Sequence, residues 1–304
     1  MKSFKIKFWG VRGSIPTPGE ASLKYGGNTS CVELQCLNGP FIILDAGTGI
    51  RELGKSLLNK KNSVNAYIFL SHFHWDHIQG LPFFHPALNP QNSFTIVGSD
   101  DAAIKLDQII SFQMDPTYFP ITIEDMRANI QFRSIKEQQF EIESAQIQTI
   151  YLNHPGYALG YRITYHDKSV IYISDNEPFN YPTGEMISSK KDDLSKIEDI
   201  FENLVEDKDE KLIHFCKNAD VLIHDSQFFQ EEYLKKVAWG HSPFNYTVQL
   251  AMKSMVKKLI LFHHDPDHDD KTIDHLESLS KKILKNANQS VDCFAAREGM
   301  IIYI

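Results

Sequence analysis

Cysteine is scarce: four residues in 304, at positions 31, 36, 216 and 293, with no CxxC pair and no dense framework among them. Cys31 and Cys36 share one strand-like run, Ser30-Cys-Val-Glu-Leu-Gln-Cys36, and their odd separation points them to opposite faces. A structural disulfide is not expected, and a reducing compartment fits. Long apolar runs are missing too, since none approaches the length that spans a bilayer. The opening Met1-Lys-Ser-Phe-Lys-Ile-Lys7 enters a strand pattern directly, without an apolar leader or cleavage site. These absences lead us to expect a cytoplasmic protein with no membrane partner. Basic charge is also in deficit: 31 Lys and Arg face 39 Asp and Glu, a formal net charge of −8. Such a balance exerts no general pull on nucleic acid or anionic membrane. A local basic patch stays open, so large RNA is disfavoured as a partner but not excluded.

What is present is an ordinary globular composition, 42% hydrophobic and 23% charged, in a chain long enough for one large α/β core. Lys5 to Trp9, Cys31 to Cys36 and Phe41 to Leu44 read as strands, and Gly49 to Lys60 as a helix with Ile50, Leu53, Leu57 and Leu58 at helical spacing. Ala66 to Leu70 is a short apolar run of the buried-strand kind. Residues 102–114 read as helix, followed by strands near 130–150, 159–165 and 169–174. From Glu177 to Lys211 acidic residues outnumber lysines and the periodicity is helical. We expect an acid-rich helical insertion there, acting as a lid or as a subunit contact in a homodimer, with a solvated spacer as the alternative. Strand and helix then alternate: Ala219 to His224, Phe244 to Lys257, Lys258 to Phe262, and a long amphipathic helix from Asp269 to about Asn288. No linker divides the chain, so residues 1–304 are expected to form one domain of two αβ halves.

The main chemical signal is Ser71-His-Phe-His-Trp-Asp-His77, directly after the apolar run. Three imidazoles and a carboxylate packed this densely cannot share a low-dielectric pocket unpaired, and a divalent cation satisfies them together. Alternate residues of an extended segment project to one side, so His72 and His74 can grip one ion. Once the chain turns, Asp76 and His77 are placed for a neighbouring ion.

This HxHxDH pattern after an apolar strand resembles the signature of the metallo-β-lactamase superfamily. The likeness continues through Leu44-Asp-Ala-Gly-Thr-Gly49, Leu152-Asn-His-Pro-Gly156, Ile171-Tyr-Ile-Ser-Asp175 and Leu259-Ile-Leu-Phe-His263. The resemblance implies an αββα sandwich, two mixed β-sheets flanked by helices. It implies that His72, His74 and His154 bind one ion and Asp76, His77 and His263 a second, with Asp175 bridging. His264 is expected to point elsewhere, and Asp45 to brace the ligand loop by hydrogen bonds. Mixed His and carboxylate ligands without cysteine suit two zinc ions, and also manganese or iron.

Two further motifs resemble the branch of ribonuclease Z and related small-molecule phosphodiesterases. They are Ala219-Asp-Val-Leu-Ile-His-Asp-Ser-Gln-Phe228 and Trp239-Gly-His-Ser242; Gly10-Val-Arg-Gly-Ser-Ile-Pro16 and Gly27-Asn-Thr-Ser30 resemble that branch's opening turn. The resemblance implies that Asp76 orients the nucleophile, that His241 protonates the leaving group and that Asp225 orients His241. The chain departs from the ribonuclease pattern in having Asp225 for the usual glutamate and Pro243 for a common threonine, and it has no Gly/Pro-rich basic arm. With the negative charge, these departures favour a small phosphodiester, foremost a cyclic nucleotide. The alternatives are a ribonuclease Z-like RNA endonuclease and a thioester or lactone hydrolase on the same metals.

Overall fold

The computed structural model describes residues 3–58, 62–100, 104–179 and 209–304. Strands follow one another almost in chain order. β1 (Phe4–Gly10), β2 (Cys31–Cys36), β3 (Phe41–Leu44), β4 (Asn65–Phe69), β5 (Ser93–Gly98) and β6 (Asn129–Ser134) lie side by side. A last strand, β14 (Ile301–Tyr303), returns to pair with β1 and completes a seven-stranded sheet. The second sheet also has seven strands, β7 (Gln139–Ile142), β8 (Ala145–Tyr151), β9 (Leu159–Tyr165), β10 (Lys168–Ile173), β11 (Val221–Asp225), β12 (Lys258–Phe262) and β13 (Asp292–Ala295). Both sheets are mixed: β3 to β6 and β10 to β13 run parallel, while β1 to β3 and β7 to β10 run antiparallel.

Period-two alternation explains how the sheets meet. Phe4, Ile6 and Phe8 of β1 and Val32, Leu34 and Cys36 of β2 enter one buried cluster with Tyr161, Ile163, Val170 and Tyr172 of the second sheet. Cys31 lies in a different cluster from Cys36, the outer one beneath the helix Gly49–Leu58, as the odd separation required. That helix buries Ile50, Leu53 and Leu57. Across the molecule, the helices Phe244–Lys253 and Asp270–Asn286 place Val248, Leu250, Leu276 and Leu284 on the outer face of the second sheet. Four layers result, helix, sheet, sheet, helix, as expected.

Boundaries differ in places. Of the helix expected over 102–114, residues 102 and 103 lie outside the described residues and the helix described spans Leu106–Phe112, while the one expected to reach Lys257 stops at Lys253. Met255 follows at φ +53, a left-handed conformation that cannot continue a helix. Lys60 and most of the expected insertion, 180–208, lie outside the described residues. No helix among the described residues is long and apolar enough to cross a membrane.

The parallel halves position the site. The chain leaves β3 at Asp45, β4 just before Ser71, β10 just before Asp175, β11 at Asp225 and β12 just before His263. Parallel strands present their carboxyl ends on one side, the usual place for a ligand in such sheets.

Candidate metal centre

Seven of the expected residues converge on two adjoining clusters. His72, His74, His154 and Asp175 can each offer an atom within 4.8 Å of the others, and so can Asp76, His77 and His263. In the first cluster His154 Nε2 faces His74 Nδ1 at 3.0 Å. In the second, Asp76 Oδ2 lies 3.0 Å from His77 Nε2 and 3.1 Å from His263 Nε2. Asp175 stands between them: Oδ1 is 3.1 Å from His77 Nε2 and 3.4 Å from His263 Nε2, and Oδ2 is 3.7 Å from His72 Nε2. All but His74 are buried.

The imidazoles are oriented from behind. His77 Nδ1 donates to Asp45 Oδ2 at 2.7 Å, His154 Nδ1 to the Gly240 carbonyl at 2.9 Å and His263 Nδ1 to Gln227 Oε1 at 2.9 Å. His72 Nδ1 lies 3.0 Å from Ser71 Oγ, which in turn donates to Asp45 Oδ2 at 2.8 Å. Each outer partner claims Nδ1 of these four rings and leaves Nε2 facing inward, free to ligate, whereas His74 turns Nδ1 toward the cluster. Asp45 also accepts from the Ser71 amide at 2.7 Å and from the Tyr172 hydroxyl at 2.7 Å, which is the bracing expected of it. Its own backbone is left-handed, φ 59, as is that of His263, φ 60; strain of this kind gathers where a site dictates side-chain direction.

Electrostatics favour cation binding. Burial, reinforced by neighbouring imidazoles, holds His72, His74 and His154 below the ordinary histidine range, in the neutral form that ligates. Burial alone would lift Asp76 and Asp175, but the surrounding histidines outweigh it and keep both carboxyls well below the usual range. At His77 burial is likewise outweighed, here by Asp76, Asp175 and Asp45, and the imidazole is pushed up; the same carboxylates that hold its proton attract a cation, which would displace that proton on binding. His72 Nε2 and Asp175 Oδ1 have no well-formed hydrogen bond within the protein although both are fully buried. Inward-facing polar atoms of this kind, set among imidazoles and carboxylates, fit a divalent ion.

His241 sits at the edge of both clusters, its ring 5.5 Å from that of His154 and 5.0 Å from that of His263. Its Nδ1 donates to Asp225 Oδ2 at 3.1 Å, so the two residues paired from sequence do meet. Asp225 is fully buried and accepts as well from the amides of Gln227 at 2.9 Å, Asn176 at 3.3 Å and Ser242 at 3.3 Å. Burial raises the Asp225 carboxyl against the pull of those amides, and burial lowers the His241 imidazole. Asp175, His241 and His263 form a third possible grouping, which sequence reasoning did not foresee. His264 points away, its Nε2 donating to the Ala296 carbonyl at 2.8 Å.

Several residues that shape the site gave no clear sequence signal. Glu177 is buried and accepts from the Tyr233 hydroxyl at 2.7 Å and from the amides of Ala238 at 2.7 Å and Gly240 at 3.0 Å, so it fixes the loop that carries His241. Two glycines make room for imidazoles. A Cβ on Gly13 would lie 2.4 Å from His263 Cε1, and one on Gly240 only 2.2 Å from His154 Nδ1. Gly240 is also left-handed, φ +87. Gly240→Ala should therefore displace His154, costing about 10–100-fold in metal affinity, the scale on which outer partners act. Titration of the apoprotein with zinc checks this, and an unchanged affinity would show that the loop yields without disturbing the ring.

Comparison with known proteins agrees with the geometry. Residues 41–191 match the beta-lactamase superfamily domain. A ribonuclease Z of Picrophilus torridus is 26% identical over 297 residues, covering 88% of each chain. Among solved structures, the metallo-beta-lactamase fold protein YhfI of Bacillus subtilis superposes over the whole of both chains with TM-score 0.66 at 17% identity. Yeast PDE1 likewise superposes over the whole of both chains, with TM-score 0.63 at 15% identity. These two share the fold.

Proposed function

We propose that this chain, which belongs to the metallo-β-lactamase superfamily, is a dinuclear-metal phosphodiesterase acting on a small phosphodiester, foremost a cyclic nucleotide. His72, His74 and His154 would hold one divalent ion and Asp76, His77 and His263 the other, with Asp175 shared and zinc the first candidate, ahead of manganese or iron. Two such ions supply a nucleophilic oxygen near neutral pH and offset the charge that builds on phosphorus. The chain's own residues do the rest. Asp76, held by the Ser14 amide at 2.8 Å, orients the nucleophile. Asp225 accepts from His241 Nδ1–H and stabilises the doubly protonated ring, whose Nε2–H is the proton that the departing alkoxide needs.

The Asp225–His241 contact of 3.1 Å beside the double cluster carries this reading. A thioester releases a thiolate, which departs without a proton, and has less use for a buried proton donor. The relatives named ribonuclease Z support phosphodiester chemistry, and they support RNA as a second substrate class. The net charge of −8 and the missing basic arm weigh toward the small substrate.

Parallel assays of the zinc-loaded protein decide among these. Cyclic AMP, bis(p-nitrophenyl) phosphate, a thioester and a pre-tRNA should be compared by kcat/KM. We expect the two small phosphodiesters to lead. A faster pre-tRNA reaction would assign the chain to RNA processing, and a preferred thioester would end the phosphodiesterase reading.

A further inference from the structure

The loops that close the metal centre carry two exposed indoles. Trp75 lies between His74 and Asp76 and is 80% exposed; Trp239 lies two residues before His241 and is 60% exposed. His74 is the exposed member of its group of four candidate ligands, so solvent reaches the centre beside Trp75. Trp239 stands on the His241 side: Lys236 Nζ lies 5.7 Å from its ring centre and 4.4 Å from that of Phe228, whose ring is 5.8 Å from that of His241. The His74 and His154 rings are 4.8 Å apart, and His154 Nδ1 donates at 2.9 Å to the carbonyl of Gly240, the next residue after Trp239.

Neither indole is left in solvent by a slack backbone. Glu177 grips the amides on both sides of Trp239, at Ala238 and Gly240, and both of those residues are left-handed, φ 69 and φ 87. Trp75 opens the short helix Trp75–Ile78, whose next two residues, Asp76 and His77, are buried in the centre. Rigid loops thus hold two large aromatic faces in water beside a site suited to phosphate, where burial of apolar surface would have turned them inward.

Resting on the phosphodiesterase reading above, we infer that Trp75 and Trp239 are the surfaces on which the nucleobase of the substrate stacks while its phosphate lies in the metal centre. Every base offers a π-face, so stacking would accept different bases and reject a sugar phosphate that has none. The third tryptophan, Trp9, is a built-in reference: it is half-buried, and its indole N–H donates to Glu33 at 2.9 Å.

Tryptophan fluorescence of the zinc-loaded protein, titrated with adenosine 5′-monophosphate or with ribose 5-phosphate, tests this. The nucleotide should quench and the sugar phosphate should not. Trp75→Leu and Trp239→Leu should each lose part of the quenching and raise the KM for cyclic AMP roughly 10-fold, the scale of one base stack, with kcat retained. Trp75→Phe should keep most of the affinity, which separates stacking from a folding defect. Wild-type calorimetric affinity for the nucleotide in the Trp75→Leu/Trp239→Leu double variant would overturn the inference, as would equal quenching by ribose 5-phosphate. The two readings fail separately. A protein that turns over no phosphodiester but loses nucleotide binding in the variants keeps the stacking role and loses the activity. One that hydrolyses cyclic AMP with unchanged KM in both single variants does the reverse.

Discussion

Asp175→Ala should empty both metal positions at once and bring hydrolysis to background. One oxygen of this carboxylate faces each cluster: Oδ1 lies 3.1 Å from His77 Nε2 and 3.4 Å from His263 Nε2, and Oδ2 lies 3.7 Å from His72 Nε2 and 3.9 Å from His154 Nε2. The side chain is buried, and a water filling its space would bring no negative charge. Its removal also leaves four crowded imidazoles without the negative charge nearest to them, and two cations would then have to share a site poorer in anions. Asp76→Ala makes the contrast, because Asp76 belongs to the second grouping alone and its loss should spare the ion beside His72, His74 and His154. Elemental analysis after dialysis checks both variants, with circular dichroism to confirm the fold. Retention of one ion per chain by Asp175→Ala would show that the carboxylate serves a single position.

How much of this centre could be read from sequence depended on how locally each residue announces itself. His72, His74, Asp76 and His77 crowd their ligand atoms into one turn of chain after a buried strand, a density that a solvated surface loop seldom reaches. His154, Asp175 and His263 are single residues, yet each closely follows a strand that is visible as an apolar run, and the family resemblance supplied their order. Gln227, Glu177, Gly13 and Gly240 offered no such cue. Gln227 meets His263 across 36 residues of chain, and Gly13 matters only because the His263 ring lies against it. A lone polar residue or glycine carries no period, and its partner is chosen by the tertiary fold. The sheets divide in the same way. Strands β1 to β4 and β9 to β12 were evident from alternation or apolar runs, and β6 to β8 fall within the stretch near 130–150 that reads as strands. The four residues of β13 and three of β14 were too short to show a period, and they owe their state to pairing with β12 and β1. Ser93–Gly98 went unread between a Pro-rich loop and the segment before the helix Leu106–Phe112.

For a substrate whose leaving group is a ribose hydroxyl, His241→Ala should lower kcat by roughly 10²–10⁴-fold, the usual contribution of a general acid. The same change should be only mildly felt with a p-nitrophenyl phosphodiester, because p-nitrophenolate departs without a proton. Asp225→Asn should show the same selectivity more weakly. It keeps the size of the side chain but weakens the acceptor that now meets His241 Nδ1 at 3.1 Å, so the ring is less firmly oriented and its doubly protonated form, which alone carries a proton on Nε2 while Nδ1–H meets Asp225, is less favoured. Metal content separates this role from the alternative that the geometry leaves open. His241 lies in a possible ligand grouping with Asp175 and His263; were it a ligand, its removal would deplete metal and slow both substrates alike. Normal metal content with a loss confined to the poor leaving group is the expected outcome. Equal losses on the two substrates with metal intact would make His241 a positioning residue, and the proton would have to come from elsewhere in the site.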